Sequence, residues 1–291
     1  MEFQPPAMNL RFGSGSEASA ETRQTLAEGR RTTADLPSRE EVVGKYPAFA
    51  DAVSIYAAGS VVQGWGHANS DLDLYVISDE HLDFGAGLEA FERHVSTQDP
   101  VIHIVLGEFG PFRADMELWL TGQIDELIGR FSGNMPDQEA PELDKTEQDM
   151  LYRLASGSPL HGGEWWQRQR AALLDSRYGL WLAENRKLIA ETFLEDVGGL
   201  LISGDLETAV LAGHEAFTGA LEALLAVRGD YCVNRKWLYR RLLAMDLKEI
   251  SVADAWAGLT MTGAIDDPRG WSERAARTAQ RLLLNVEEAA A

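Results

Sequence analysis

One cysteine in 291 residues, Cys232, leaves no partner for an internal disulfide and no thiolate cluster for zinc. The role expected for it is that of a small buried hydrophobe. Long apolar runs are missing too: none approaches the ~18 residues that a membrane span needs, so a membrane partner is not expected. The opening residues, MEFQPPAMNLRFGSGSEAS, lack the charged start, apolar stretch and cleavage site of a secretory leader, and the expected location is the cytoplasm. Positive charge is scarce, with 26 Lys and Arg against 46 Asp and Glu and a net charge of −20. Cations neutralising phosphates dominate nucleic-acid binding, so a polynucleotide partner is disfavoured. The six histidines show no metal spacing; His67 sits inside the segment described below, and His214 lies on an apolar helix.

The deficit of positive charge is uneven. Residues 1–150 hold 10 Lys and Arg against 27 Asp and Glu, whereas residues 151–291 hold 16 against 19. Two parts with different tasks are expected. Residues 1–18, rich in Gly, Ser and Pro, read as a disordered tail, and 20–31 and 38–45 as short helices, the second capped by Ser38. AVSIYAAG (52–59), LDLYVIS (72–78), VIHIVLGEF (101–109) and FRADMELWL (112–120) read as strands. In the last, Asp115, Glu117 and Trp119 alternate with Met116, Leu118 and Leu120, predicting a polar outward face and an apolar inward one. Residues 136–149 are acidic and punctuated by proline, which predicts a linker between a domain over 19–135 and a helical domain over 150–291. In the latter, the spacing of Leu206, Val210, Phe217, Leu221 and Leu224 predicts a core-facing helix that stops at Gly229. Asn234 caps a further helix, and 271–286 reads as the last.

Chemistry concentrates in Gly59–Leu74, GSVVQGWGHANSDLDL. A strand that ends in Gly59-Ser60 lets a polyphosphate approach bare backbone N–H groups, with the Ser60 hydroxyl as a further donor. Asp71 and Asp73, one residue apart on a strand, share a face, so their carboxylates can hold hard divalent cations that also bridge phosphate oxygens.

Gly59, Ser60, Gly64, Ser70, Asp71, Leu72, Asp73 and Leu74 together resemble the signature of the DNA polymerase β-type nucleotidyltransferase superfamily, and within it the small-molecule, antibiotic-modifying branch. Two positions depart: Gln63 stands where an arginine is common, and Gly66 where an alanine is frequent. The resemblance implies an α+β fold, a mixed-sheet catalytic domain followed by an α-helical bundle. It also implies two magnesium ions as cofactors, ATP as nucleotide donor, and phosphate contacts from Gly59, Ser60 and Ser70. A third metal-binding carboxylate belongs on a neighbouring strand. Asp115, in Arg113-Ala114-Asp115, fits the family pattern best, and Glu117 is the rival for that place or for the base that deprotonates the acceptor. Lys236, beside Trp237 in a stretch with Arg228, Arg235, Arg240 and Arg241, is similar to the helical lysine or arginine that reaches the triphosphate in antibiotic nucleotidyltransferases. A solvated basic helix face with Trp237 in the core is the alternative.

The reaction implied is transfer of a nucleoside monophosphate, AMP from ATP, onto a hydroxyl of a small, cationic molecule drawn by the acidic surface, with release of pyrophosphate. Two alternatives stand beside it: a toxin-like transferase acting on tRNA or a protein hydroxyl, and a nucleotide-binding module that has lost catalysis.

Overall fold

The computed structural model describes residues 32–83, 88–110, 112–133, 142–245 and 247–290. The expected tail and the helix at 20–31 lie outside them. The fold is α+β, with a mixed six-stranded sheet and a helical second half.

Helix α1 (Arg39–Lys45) starts as its sequence dictates. Ser38 Oγ accepts from Glu41 N at 3.2 Å while the Glu41 carboxylate accepts from Ser38 N at 2.7 Å. Strands β1 (Ser54–Ala58), β2 (Leu72–Ser78), β3 (Glu89–His94), β4 (Val101–Phe109), β5 (Phe112–Leu120) and β6 (Ser158–His161) assemble in the order β3-β4-β5-β2-β1-β6. β2 and β5 pair in parallel and the other neighbours antiparallel. β2 is central and apolar on both faces, as a strand covered twice must be. Leu72, Leu74 and Val76 join Val42 and Phe49 in one core, while Tyr75 and Ile77 join Trp119 and the helices in the other.

That second face corrects one expectation. Asp73, Tyr75 and Ile77 on β2 are in register with Asp115, Glu117 and Trp119 on β5. This face turns toward the helical half, and Trp119 is fully buried there. Glu117 and Trp119 are therefore covered between the two halves, whereas Asp115, at the mouth of the strand, stays exposed as expected. Two strands were not foreseen. β3 is an exposed edge strand whose charges mask any alternation, and β6 is four residues long and contains Pro159, which an edge tolerates.

After α3 (Thr121–Gly129) the chain enters α4 (Lys145–Ser156), capped by Asp144 and Glu147. Of the stretch expected as a linker, 136–141 lie outside the described residues and Lys145–Asp149 form the first turns of α4. Then follow α5 (Gly163–Asp175), α6 (Tyr178–Ser203), α7 (Leu206–Val227), a 3-10 turn (Arg235–Trp237), α8 (Leu238–Met245), α9 (Val252–Leu259) and α10 (Pro268–Ala290). α7 ends as foreseen, with Gly229 at φ 86°. It packs between α6 and α10 through small residues: a Cβ on Gly219 would lie 3.2 Å from that of Ala190, and one on Gly213 3.4 Å from Trp271. At 22 residues and a window hydropathy of 1.3, α7 is long and apolar enough to cross a membrane, yet 72% of that window is buried inside the protein. Its apolarity is that of a core helix.

Leu221 on α7 is fully buried, whereas Leu211 on the same helix is 61% exposed. Leu221→Ala should cost about 2–5 kcal/mol in chemical denaturation. Leu211→Ala should stay within about 0.5 kcal/mol.

Candidate functional site

The end of β1 and the start of β2 meet across a close contact. Gly59 opens a single helical turn, α2 (Gly59–Val62), at φ 78°, a conformation suited to glycine. A Cβ there would stand 1.9 Å from Asp73 Oδ2 and 2.2 Å from Arg153 Nη1, so no other residue fits. The loop that follows folds back on itself: Trp65 N donates to Ser60 O at 2.7 Å, and His67 N donates to Ser70 Oγ at 2.9 Å. Ser70 is thereby buried and brings the chain into β2 with Asp71 and Asp73 at its mouth.

A cleft of roughly 260 Å³ opens at this point. Its lining joins Gly59, Ser60, His67, Ser70, Asp71, Asp73 and Asp115 from the sheet half to Lys145, Asp149, Arg153, Lys236 and Trp237 from the helical half. Except for Glu117, every residue singled out for phosphate, metal or nucleotide contact lines this one space. Glu117 is set apart: Tyr75 Oη donates to its Oε1 at 3.3 Å and Trp119 Nε1 to its Oε2 at 3.0 Å. With its oxygens engaged in these bonds, Glu117 stands outside the lining that Asp115 shares. Burial first, and then Asp73 among its neighbours, raises its pKa, the Trp119 hydrogen bond working the other way.

Arginines hold two of the cleft carboxylates. Arg113 grips Asp71 with two hydrogen bonds, Nε to Oδ1 at 2.9 Å and Nη2 to Oδ2 at 3.0 Å. Arg153 Nη1 reaches Asp73 Oδ2 at 3.1 Å. Burial raises the pKa of Asp73, with Arg153 opposing it and Asp115 and Asp71 adding to it. Burial also raises that of Asp115, to which Asp71 adds. Three acids crowd one cleft, and a divalent cation would relieve their repulsion. Among the described residues no three His, Cys, Asp or Glu side chains form a ready metal cage. The donors suit a hard cation in kind, and their geometry requires that Arg113 and Arg153 yield first.

Several participants had no signal in the motif. α4 carries Lys145, Asp149 and Arg153 four residues apart, one face of a helix, and Lys145 Nζ meets Asp149 Oδ2 at 2.5 Å. That spacing was legible, but it was divided by the expected linker boundary. Glu147, fully buried, anchors α4 by accepting from Ser96 N and Ser96 Oγ beyond β3. Trp65 and Trp237 meet across the cleft with centroids 5.5 Å apart, and Lys236 Nζ lies 4.9 Å over the Trp237 ring. Trp237 is half-buried at the seam between the halves and does not sit in the core. The rest of the basic stretch is largely neutralised inside the helical half. Arg228 pairs with Glu249, Arg235 with Glu215 and Glu222, and Arg241 with Asp230. It therefore forms no continuous basic groove. Cys232 is 3% exposed, in keeping with its expected role, and His214 hydrogen-bonds Leu259 O at 3.2 Å.

No protein-family model matches the sequence, and no curated protein does. Among solved structures, the backbone is similar to that of a nucleotidyltransferase-like protein from Exiguobacterium sibiricum 255-15. That match has 10% identity, covers 85% of this chain and 74% of that one, and reaches a TM-score of 0.43. A likeness of this size carries no weight for function, which rests on the cleft itself.

Two predictions follow from the geometry of the carboxylates. Gly59→Ala should lower thermal stability and move Asp73 and Arg153 apart, read as altered Arg153 side-chain signals in NMR. A carboxyl whose folded pKa is raised costs nothing while protonated and subtracts stability as pH climbs through the folded value. Asp115→Asn should therefore raise the metal-free melting temperature near neutral pH, a gain that disappears below the ordinary value of 3.8.

Proposed function

We propose that this chain is a magnesium-dependent nucleotidyltransferase that moves AMP from ATP onto a hydroxyl of a small molecule and releases pyrophosphate. The observation that carries this reading is the convergence of a bare Gly59-Ser60 turn with three carboxylates, Asp71, Asp73 and Asp115, in one cleft. Phosphate oxygens would lie against the N–H groups of the turn and the Ser60 hydroxyl. Asp71, Asp73 and Asp115 would hold the magnesium, which when bound neutralises charge on the transferring phosphoryl group. Lys236 forms no ion pair among the described residues and is the free cation available to the triphosphate from the helical half. The acceptor oxygen bonds to the α-phosphorus as the bridge to the β-phosphate breaks, and pyrophosphate leaves. Asp149, which lines the same cleft, would receive the acceptor's proton. The cytoplasm, which supplies ATP and magnesium, suits this activity.

The cleft also motivates a second reading. The pairs Arg113–Asp71 and Arg153–Asp73 neutralise two of the carboxylates without any metal, as a nucleotide-binding module that no longer catalyses would require. One assay separates the two: pyrophosphate release with magnesium, each of four nucleotides, and a panel of hydroxylated small molecules and tRNA. The transferase reading expects turnover with at least one small acceptor and a loss of about 100-fold or more in Asp73→Asn. Nucleotide binding without turnover for any acceptor would favour the module.

A further inference from the structure

Behind the wall that Trp65 and Tyr152 give to the cleft lies a second hollow of about 200 Å³. Trp65 and Tyr152 border both spaces, so the two are neighbours through a shared aromatic wall. The remaining walls of the hollow are mainly apolar, with Leu174, Tyr231 and Met245 among them.

Two guanidinium groups are set into this apolar lining. Arg241 is 2% exposed; its Nε donates to Asp230 Oδ2 at 2.7 Å, and its Nη1 has no hydrogen-bond partner. Closed off from the hollow itself, Arg241 contributes to it through its charge and not through a free donor. Arg170, on α5, donates Nε to Ala155 O at 2.7 Å and lies 5.7 Å from the Trp166 ring. Among the described residues no carboxylate pairs with it. Asp230 is the one acid in the lining, and it already serves Arg241 and the backbone N–H of Cys232. In a chain of net charge −20, this hollow combines apolar walls with an excess of positive charge.

We infer that the hollow is a binding subsite for the acceptor, and that it takes an aromatic or alicyclic body bearing a carboxylate. The carboxylate fits Arg170, with the buried charge of Arg241 beside it, and the ring fits the faces of Trp65 and Tyr231. The word acceptor rests on the nucleotidyl-transfer reading; the chemistry of the subsite does not. No bond changes in the hollow. Binding energy gained there would hold one end of the molecule, with the Trp65 side chain turning aside to let a hydroxyl reach the phosphates. The negative surface draws cations from solution, but inside a hollow of low polarity the nearby arginines outweigh that screened attraction. The acceptor class is thereby moved from cationic to anionic.

Three probes with one ring and different head groups test this: benzoate, benzyl alcohol and benzylammonium, titrated into the full chain without nucleotide or metal and followed by ligand-observed NMR. Benzoate should saturate, at least about ten-fold more tightly than either of the others. Arg170→Gln, its fold checked by circular dichroism, should reduce that preference several-fold. Benzylammonium binding as tightly as benzoate, or no saturable benzoate binding at millimolar concentration, overturns the proposal, and the wild-type comparison alone decides it. A parallel titration with magnesium–ATP keeps the two readings apart. Benzoate binding in a chain that binds no nucleotide keeps the anion subsite and overturns its assignment to an acceptor.

Discussion

Everything in the cleft is arranged around the ion pair between Arg153 and Asp73. It joins α4 of the helical half to the mouth of β2, and its 3.1 Å contact occupies the space where a side chain on residue 59 would be. Removing one member of a half-buried pair leaves the other charge stranded, which costs far more than the pair itself contributes. The halves are held in register by this contact and by the buried Glu147, which fixes α4 to the turn after β3. Burial still raises Asp73 against the pull of Arg153, so the arginine only partly compensates the charge that the fold confines there.

The two arginines are held unequally. Arg113 has a side chain 75% exposed and can leave Asp71 at small cost, whereas Arg153 is 21% exposed and held between the halves. On the proposed function, a dication among Asp71, Asp73 and Asp115 would take over the neutralising role of both arginines, and the released guanidinium groups would be available to phosphate oxygens. The lack of a ready cage and the excess of acid in one cleft are thus two sides of the same balance. Trp65 and Trp237 close the opposite side, so a ligand there is enclosed by both halves of the chain.

The parts of the fold legible from sequence are those whose pattern is local. β2, β4 and β5 were readable to the residue because β-branched and apolar runs end at clear boundaries. The cap of α1 and the stop of α7 followed from single residues, Ser38 and Gly229. The joint spacing of Gly59, Ser60, Asp71 and Asp73 was enough to place one cleft. Less legible was anything that depends on a partner element. One face of β5 looked open to solvent because Asp115 and Glu117 are polar; Asp115 is exposed, and only packing of the helices shows that Glu117 and Trp119 are covered. The pattern Arg113-Ala114-Asp115 separated the two acids in sequence, and in the fold Tyr75 and Trp119 claim Glu117. α6, whose apolar residues spread around its circumference, carried no amphipathic signal. The start of α4 was hidden behind an acidic, proline-marked stretch, and with it Lys145 and Asp149.

The central claim is that Asp71, Asp73 and Asp115 accept divalent metal together with a nucleotide once the arginines yield. Manganese is a paramagnetic substitute for magnesium, and its binding can be counted directly by electron paramagnetic resonance with a non-hydrolysable ATP analogue present. The wild-type chain should bind manganese only when the analogue is there, and Asp71→Asn combined with Asp73→Asn should abolish that binding while the fold persists. Manganese bound equally well by the double variant, or not bound by the wild type with any nucleotide analogue, would contradict the account.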